Sequence, residues 1–389
     1  TKNDSTRMFK VIKEIQRNKP KVPLLISTSK GRYTANEREQ ANIIGEYFKS
    51  QFNKVDNNNQ PNTNIVKPVA MTNPFTADEV KRSIKRLNNN KSPGGDEIKA
   101  EMLKFAPDIL HTIIADIFNH MSKTGDHPKE IVEGIITPLQ KPGKPKGPLE
   151  NLRPITLLSM LRKILAICMQ ERITPKLDAA IPPSQAAYRA GRSTTEHVFA
   201  AKILCEKAIT SANDPIHLLM LDMSKAFDTV NRNLLIKELS NILEKDELHI
   251  ISILLNTQLK IRCGSAKSDA FETNTGVPQG DCSSANLFTF YLARAMANKK
   301  QEDHDYCNQI IPPPSNFLHD HPYTYTPAIS ININMEYADD MNLMSNNIKD
   351  IDYTKYVLPS QLKNWDLVIN NTKTEEFTIK RNSNENWKK

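Results

Sequence analysis

Three aspartates are the residues of this chain best suited to metal-ion chemistry. Asp339 and Asp340 are adjacent in the segment Tyr337-Ala338-Asp339-Asp340, and Asp222 lies far upstream, directly after an apolar run. Carboxylates brought together repel one another unless divalent cations lie between them. Two Mg²⁺ ions about 3.5–4 Å apart can activate an attacking hydroxyl and stabilise a leaving group in an in-line displacement at phosphorus. The trio therefore predicts a two-metal phosphoryl-transfer site, whereas an isolated Asp-Asp pair would indicate only an acidic turn.

The segments around these aspartates have the pattern of β-strands. Residues 331–337 alternate between apolar and polar, the alternation breaks at Ala338, and an apolar run resumes over 341–344. This pattern predicts a β-hairpin with two carboxylates at its turn. Residues 216–221 form a short apolar run, which predicts a buried strand that ends at Asp222. A strand end beside the hairpin turn brings the third carboxylate within reach of the other two.

Further motifs accompany the aspartates in a fixed order along the chain. Residues 221–230 read LDMSKAFDTV and residues 275–281 read TGVPQGD, and both precede YADD at 337–340. These three segments resemble motifs A, B and C of reverse transcriptases. Four upstream segments resemble the fingers motifs of the non-LTR (LINE-like) retrotransposon polymerases: KSPGGD at 91–96, KPGK at 141–144, NLRPITLL at 151–158 and QAAYRAGRST at 185–194.

The resemblance, which covers roughly residues 70–380, implies an α+β, right-hand polymerase fold. Helical fingers would precede a palm whose antiparallel sheet carries the acids. The predicted organisation is a basic N-terminal junction or linker region over 1–70, fingers with part of the palm over 71–215, and palm over 216–389 with a Pro-rich insertion over 301–330. The chain ends soon after Lys373, so we expect a thumb that is missing or truncated.

Helical periodicity and capping residues predict where the helices lie. Thr76-Ala77-Asp78-Glu79 is a capping box, which marks a helix start. Helices are also predicted near Asp96 and Asp108 and over 36–52, 159–177, 193–210, 231–243 and 248–259, that at 159–177 being amphipathic. An Asn-rich linker is predicted over 53–64 and an extended, solvated loop over 140–149.

The resemblance assigns catalytic roles to four side chains and one backbone group. Asp222, Asp339 and Asp340 match the family's metal-binding positions, and the carbonyl of Met223 completes the coordination of one metal. Lys373 lies in a segment that resembles motif D, where a lysine protonates the leaving pyrophosphate. The implied cofactor is a pair of Mg²⁺ ions, with Mn²⁺ as a possible substitute.

Three residues of motifs A and B match positions that contact the incoming dNTP. Phe227 matches the steric gate, where a ring under the sugar collides with a 2′-hydroxyl, and this implies a DNA product; the alternative is a plain core residue. Gln279 matches the residue beside the nascent base pair. Gly280 follows it and lets the backbone approach a nucleotide closely.

Basic residues of the fingers match positions that contact phosphates. Lys141, Lys144 and Arg153 match the positions that clamp the triphosphate, a task suited to ammonium and guanidinium groups. Arg189 and Arg192 are assigned to the template strand or its phosphates. Solvated surface charge is the alternative for these residues. Further candidates for phosphate contacts are Arg162, Lys163, Arg172 and Lys176.

Composition agrees with a nucleic-acid partner and excludes several classes of protein. Lys and Arg number 52 against 44 Asp and Glu, for a net charge of +8, which suits a polyanion. The predicted partners are an RNA template, a DNA primer or target, and dNTPs. No apolar stretch approaches the roughly 18–20 residues of a membrane span. The five cysteines are scattered without a Cys-x-x-Cys pair, which argues against a disulfide framework and predicts an intracellular protein, cytoplasmic or nuclear or both.

Two functions from different classes fit these features. The first is an RNA-directed DNA polymerase that transfers dNTPs onto a primer 3′-hydroxyl, and the intact carboxylate trio favours it. The second is a truncated, catalytically weak retroelement remnant that binds RNA without sustained synthesis, favoured by the expected lack of a thumb. A partner chain or missing domains, such as a thumb or an endonuclease, would complete the protein. A zinc site from His304, Cys307, His319 and His321 is disfavoured against a polar surface loop, because the spacing is not diagnostic.

Overall fold

Strands from distant parts of the chain pair in three sheets. The computed structural model describes residues 24–27, 32–53, 66–210, 215–278, 280–310 and 332–381. The strands are β1 (Ile26–Ser27), β2 (Tyr33–Thr34), β3 (Glu133–Gln140), β4 (Leu152–Leu158), β5 (Ile216–Leu221), β6 (Thr257–Cys263), β7 (Ala266–Lys267), β8 (Phe271–Thr273), β9 (Asn332–Tyr337), β10 (Asp340–Ser345) and β11 (Glu375–Ile379).

The helices surround these sheets and connect their strands. They are α1 (Glu37–Phe52), α2 (Ala77–Arg86), α3 (Ala100–Lys104), α4 (Ile109–Thr124), α5 (Lys129–Val132), α6 (Met160–Ala180), α7 (Thr194–Thr210), α8 (Ala226–Thr229), α9 (Arg232–Leu239), α10 (Lys245–Leu255), α11 (Cys282–Ile310) and α12 (Ile348–Lys363).

A four-stranded antiparallel sheet, in the order β11-β5-β10-β9, carries the predicted acidic residues. β5 pairs on both edges, and Ile216, Leu219 and Leu221 are buried, so an apolar run is what this position requires. Helices α7 and α12 pack against the sheet. The predicted α+β class with an antiparallel palm sheet is confirmed.

A second sheet joins strands from the predicted fingers segment to strands from the predicted palm segment. β3 pairs with β4 antiparallel and with β6 parallel, and β7 and β8 both pair with β6. The largest apolar core also runs across the predicted boundary at residue 215, from Met71 to Leu367. The division into three regions stays a prediction, and it describes order along the chain rather than separate cores.

Helix α6 lies in the centre of the largest core and is buried on more than one face. Successive residues Ile164, Leu165, Ala166 and Ile167 are buried because α2, α10 and α11 all pack against this helix. The predicted amphipathic pattern is therefore wrong, although the helix is present and begins after Ser159, whose hydroxyl accepts from the first turn.

Most predicted elements are present, with errors at some ends. The Thr76 capping box, the strand over 216–221 and the hairpin all occur as predicted. The helix near Asp96 begins only at Ala100, and the helix over 248–259 ends at Leu255 because β6 follows. Nearly all of the 53–64 linker, the insertion from 311 to 330 and the side chains of the disfavoured zinc site lie outside the described residues.

Candidate active site

A two-residue turn places the paired aspartates at the end of the four-stranded sheet. The turn between β9 and β10 consists of Ala338 and Asp339, and Asp340 pairs with Tyr337 as the first residue of β10. The next residue of β10 pairs with the last residue of β5, so Asp340 lies beside Asp222, which follows that strand. Ala338 has a φ of 57°, a left-handed conformation that is unfavourable for a residue with a Cβ. The register thus brings the three carboxylates to the same end of the sheet, as the sequence predicts.

Asp222 is held by a segment that runs alongside it after α12. The amide of Asn370 donates to the backbone carbonyl of Asp222 at 2.8 Å, and its side chain donates to Oδ2 at 3.2 Å. The ammonium of Lys373 donates to the same Oδ2 at 2.9 Å. The carboxylate remains 24% exposed, so it is fixed in position yet open to solvent. Lys373 therefore lies at the site, as motif D implies.

The environment of Asp339 favours its neutral form. Burial raises the pKa of the Asp339 carboxyl, and the neighbouring carboxylates of Asp340 and Asp222 raise it further, against the opposing effect of Lys373. The effect of Asp222 on that pKa means that the two carboxyl groups lie within electrostatic range of each other. This coupling is the physical feature on which the two-metal hypothesis depends.

The donor set fits hard divalent cations. Asp222, Asp339 and Asp340 offer carboxylate oxygens and Met223 offers a backbone carbonyl, which are the ligand types that Mg²⁺ prefers. Within the described parts of the chain, no group of three or more His, Cys, Asp or Glu side chains is arranged as a ready metal cage.

Five cations from four segments form a cluster that reaches the carboxylates through Lys373. Burial lowers the pKa of the Lys141 ammonium, and the charges of Lys225, Arg153, Lys373 and Lys144 lower it further. Lys141, Lys144 and Arg153 come from the β3–β4 hairpin, whereas Lys225 follows β5 and Lys373 precedes β11. Cations that destabilise one another in this way are typical of a site that binds a polyanion. The structure thus brings together the three fingers residues predicted from sequence.

The basic loop between β3 and β4 is anchored by the short strands β1 and β2. The ammonium of Lys141 donates to the carbonyl of Glu150 at 2.7 Å, which fixes one end of the loop. Gly147 has a φ of 110°, and its carbonyl accepts from the amide of Ser27 in β1 at 3.3 Å. A Cβ at Gly147 would lie 2.7 Å from the ring of Tyr33, so only glycine allows this close approach.

Lys225 is a site residue that sequence reasoning missed. It has a φ of 51°, and its ammonium donates to Oε1 of Gln51 and lies 5.6 Å from the ring centroid of Tyr47. Both partners belong to α1, from the region predicted as a junction. Lys225 lies between Asp222 and Phe227 in the motif A segment. Its positive charge at that position was the sequence signal that could have identified it.

The predicted steric gate is a half-buried ring supported from beneath. Phe227 stacks on the buried ring of Phe288 with centroids 4.2 Å apart. Its carbonyl accepts from the amide of Val277 at 2.9 Å, which joins motif A to motif B. Gly276 lies against the same turn, since a Cβ there would be 2.8 Å from the carbonyl oxygen of Asp228. Phe227 is therefore partly core, as the alternative held, and also presents a ring next to motif B.

The motif B loop is tied to the core by a buried ion pair. Gly280 packs against β4 with a φ of 115°, and a Cβ there would lie 2.7 Å from the carbonyl of Thr156. Asp281 pairs with Arg162 of α6 at 2.9 Å, with side chains 2% and 0% exposed. Arg162 also donates to two backbone carbonyls. Gln279 lies outside the described residues.

The two arginines assigned to nucleic acid differ in their surroundings. Arg189 is 15% exposed, pairs with Asp178 at 3.4 Å and donates to three backbone carbonyls, so it fixes its own loop. Arg192 pairs with Glu196 at 2.7 Å on the surface. Their contact with nucleic acid stays a prediction, and Arg189 has a structural role in addition.

Three of the further phosphate-contact candidates have other partners. Arg162 is fully buried, so its assignment to nucleic acid is wrong. Arg172 forms an ion pair with Glu79 at 2.8 Å, and Lys176 pairs with Glu247 at 2.7 Å. Each cation already has a carboxylate partner on another part of the chain, and the sequence pattern does not indicate where those partners lie.

Comparison with protein families identifies a match over most of the chain. The model of the family described as reverse transcriptase (RNA-dependent DNA polymerase) matches residues 139–388. The probable RNA-directed DNA polymerase from transposon BS of Drosophila melanogaster is 27% identical over 68% of this chain and 30% of its own length. The probable RNA-directed DNA polymerase from transposon X-element of the same species is 28% identical over 70% of this chain and 31% of its own length. The chain thus spans about three tenths of the length of these relatives.

Solved structures of telomerases are distantly similar. An apo telomerase from Candida tropicalis, truncated at its C-terminal domain, is 15% identical with a TM-score of 0.46, over 65% of this chain and 51% of the other. A second structure of the apo enzyme gives a TM-score of 0.46 at 13% identity, over 63% of this chain and 44% of the other. Within the described residues, no helix has the length and apolar character needed to cross a bilayer.

Proposed function

Because this chain belongs to the reverse transcriptase (RNA-dependent DNA polymerase) family, we propose that it is the polymerase region of a non-LTR retrotransposon protein. The proposed reaction is RNA-directed transfer of dNTPs onto a primer 3′-hydroxyl. Similarity to two transposon-encoded RNA-directed DNA polymerases supports this proposal. The proposed cofactor is Mg²⁺, and the proposed macromolecular partners are an RNA template and a DNA primer.

The observation that carries the proposal is the pairing of opposite charge clusters. Asp222, Asp339 and Asp340 lie at the same end of the sheet. Lys373 donates to Asp222 and also belongs to the group of cations around Lys141. A metal-bound triphosphate has both a divalent cation for the carboxylates and an anionic tail for the lysines and Arg153. Few other substrates complement both clusters at once.

The chemistry follows from this arrangement. The 3′-oxygen attacks the α-phosphorus and loses its proton to water, a new P–O bond forms, and the bond to pyrophosphate breaks. Held by Asp222, Asp339, Asp340 and the carbonyl of Met223, Mg²⁺ would lower the pKa of the hydroxyl and offset charge on the leaving group. The role proposed for Lys373 is to donate a proton to pyrophosphate, since its ammonium is 64% exposed beside the acids.

Sugar selection is proposed to depend on Phe227. Its ring cannot retreat, because the stacked ring of Phe288 is buried and fills the space beneath it. A rigid wall beside motif B excludes a 2′-hydroxyl by steric overlap. Template contacts are proposed to involve mainly phosphates and sugars, because a polymerase accepts every sequence, and binding should weaken as salt rises.

Primer extension tests the proposal directly. A DNA primer annealed to an RNA template is incubated with dNTPs and Mg²⁺, and extension is compared for wild type, Asp339→Asn and Asp352→Asn. Asp352 is an exposed carboxylate on α12 paired with Lys355, so its variant is the matched control for loss of one negative charge. We expect extension by wild type and the control and none by Asp339→Asn.

The remnant hypothesis predicts a different result. A folded wild-type sample that binds the hybrid but incorporates no nucleotide with Mg²⁺ or Mn²⁺ would support binding without synthesis. Equal extension by wild type and Asp339→Asn would refute the assignment of the catalytic carboxylate. The intact carboxylate group and the adjacent cations favour the enzyme.

A further inference from the structure

The side-chain amide of Gln185 is bonded to the turn that carries the catalytic carboxylates. Its Oε1 accepts from the amide of Ala338 at 3.0 Å, and its Nε2 donates to the carbonyl of Ala338 at 3.3 Å. The same Oε1 accepts from the amide of Ala187 at 3.1 Å. Gln185 has no exposed surface, so no water competes for these bonds.

The residue that this amide holds is the strained one. Ala338 is 5% exposed and has a φ of 57°, a left-handed conformation that is unfavourable for a residue with a Cβ. Strain of this kind persists only where surrounding contacts determine the backbone. Both polar groups of the Ala338 backbone are bonded to one side chain, which supplies that determination. Asp339 follows directly, so its position depends on the same turn.

The rest of the Gln185 segment pairs with the strand that leads into the turn. The amide of Glu336 donates to the carbonyl of Ser184, and the amide of Ala186 donates to the carbonyl of Glu336, both at 2.9 Å. Arg189 also donates to the carbonyl of Gln185 at 3.1 Å. The backbone of Gln185 is therefore itself held in place, so its side chain can act as a clamp on the Ala338–Asp339 turn.

We propose that Gln185 is a positioning residue for polymerisation: its amide fixes the Ala338–Asp339 turn and thereby sets where the Asp339 carboxylate stands. The proposal rests on the proposed function for its catalytic consequence. Its structural part, a turn held by one buried amide, stands independently and has its own readout. Gln185 touches neither substrate nor reacting atoms in this assignment and acts through the turn.

Hydrogen exchange measures the clamp without any need for activity. Gln185→Met keeps the length of the side chain and removes both polar atoms, whereas Gln185→Glu keeps an acceptor and removes the donor. We expect amide exchange in the peptide over 333–344 to accelerate by about ten-fold or more in Gln185→Met, because a buried N–H loses its partner. Gln185→Glu should show a smaller acceleration.

Asn119 offers a matched control for these variants. Its side chain bonds the amide and the carbonyl of Phe75, at 2.7 and 3.0 Å, in the same reciprocal way but far from the site. Asn119→Leu should accelerate exchange around Phe75 and leave the 333–344 peptide unchanged. Unchanged exchange of that peptide in folded Gln185→Met would overturn the proposal.

Kinetics then separate positioning from general loss of stability. In Gln185→Met we expect kcat to fall by about 10- to 100-fold, since misplacement of a reacting group by about 1 Å costs on that order. The Mg²⁺ concentration needed for half-maximal rate should rise, while the KM for dNTP is unchanged. Asn119→Leu should keep the wild-type Mg²⁺ dependence. A faster-exchanging turn with wild-type kcat and Mg²⁺ dependence would overturn the positioning role, and an inactive wild type would refute the proposed function alone.

Discussion

Replacing Arg162 by methionine removes the cation from a fully buried ion pair. The two side chains are 0% and 2% exposed, and the guanidinium and the Asp281 carboxylate are 2.9 Å apart. The substitution leaves Asp281 with hydrogen bonds from Ser283 alone, at 3.1 and 3.3 Å. It also removes the guanidinium donor from the carbonyls of Ile131 and Leu254. The variant therefore creates an uncompensated charge and leaves two carbonyls without this donor within the core.

The cost follows from the burial of both groups. Breaking a buried pair by removing one partner costs about 3–5 kcal/mol, because the remaining charge stays desolvated. An unsatisfied buried carbonyl adds about 1–3 kcal/mol. Since the unfolding free energy of a domain is about 5–15 kcal/mol, the loss of Arg162 should remove a large share of it.

Arg294 provides a comparison at the same distance but with different exposure. Arg294 and Glu238 are 2.8 Å apart, with side chains 41% and 18% exposed. Replacement of Arg294 by methionine should cost less than about 1 kcal/mol, the usual range for an exposed pair. Urea unfolding, followed by circular dichroism and by the fluorescence of Trp365, gives both values. An unfolding free energy for Arg162→Met within about 1 kcal/mol of wild type would refute this account of the buried pair.

Variants within the site test its charges and its shape. Burial and neighbouring carboxylates raise the pKa of Asp339 above its ordinary value of 3.8. The protonated Asp339 therefore contributes to the free energy of unfolding; this contribution is fully present below pH 3.8 and is lost as the pH rises through the raised pKa. Without divalent cations, Asp339→Asn should thus be more stable than wild type at neutral pH and not below pH 3.8; urea unfolding at both pH values checks this, and equal stability at neutral pH would contradict it. Phe227→Ala should admit ribonucleotides, measured as the ratio of rNTP to dNTP incorporation, and an unchanged ratio in an active enzyme would remove the gate assignment. Lys225→Met should raise the KM for dNTP by about ten-fold with unchanged affinity for the hybrid, as expected for loss of one phosphate contact; an unchanged KM would place Lys225 outside the triphosphate site.

The hairpin that carries Asp339 and Asp340 could be predicted because its signal is local. The two-residue period of β9, the break at Ala338 and the adjacent carboxylates all lie within a dozen residues. The end of β5 at Asp222 was equally clear, because the mainly apolar run stops at that charged residue. Neither the hairpin nor the strand end alone predicts that Asp222 lies near Asp339. That prediction came from the order of the segments 221–230, 275–281 and 337–340, which matches a known set of motifs.

The second sheet could not be predicted from local pattern. β3 contains Pro138, which pairs opposite Pro154 of β4, and proline inside a run argues against a strand. Its parallel partner β6 begins at Thr257, more than a hundred residues later along the chain. That pairing joins the β3–β4 hairpin to β6 in one larger sheet, and only tertiary structure reveals it.

Buried polar residues were the other failure of sequence reasoning. Arg162 and Lys163 lie side by side between the apolar residues Leu161 and Ile164. An exposed, charged helix face was therefore the natural interpretation. Its partner Asp281 lies in motif B, and its burial depends on three elements that meet there. Gln185 carries no local signal at all, because its role arises from a strand that appears about 150 residues later.

If the proposed site binds Mg²⁺ and a triphosphate, its charges predict that the two binding events are coupled. Lys373 lies 2.9 Å from Asp222, where its ammonium offsets part of the repulsion that raises the pKa of Asp339. The same ammonium adds to the positive field that lowers the pKa of Lys141. A divalent cation on the carboxylates strengthens that positive field, and a triphosphate on the lysines offsets it. Each component therefore relieves the repulsion that the other creates, which favours their joint binding over the binding of either one alone.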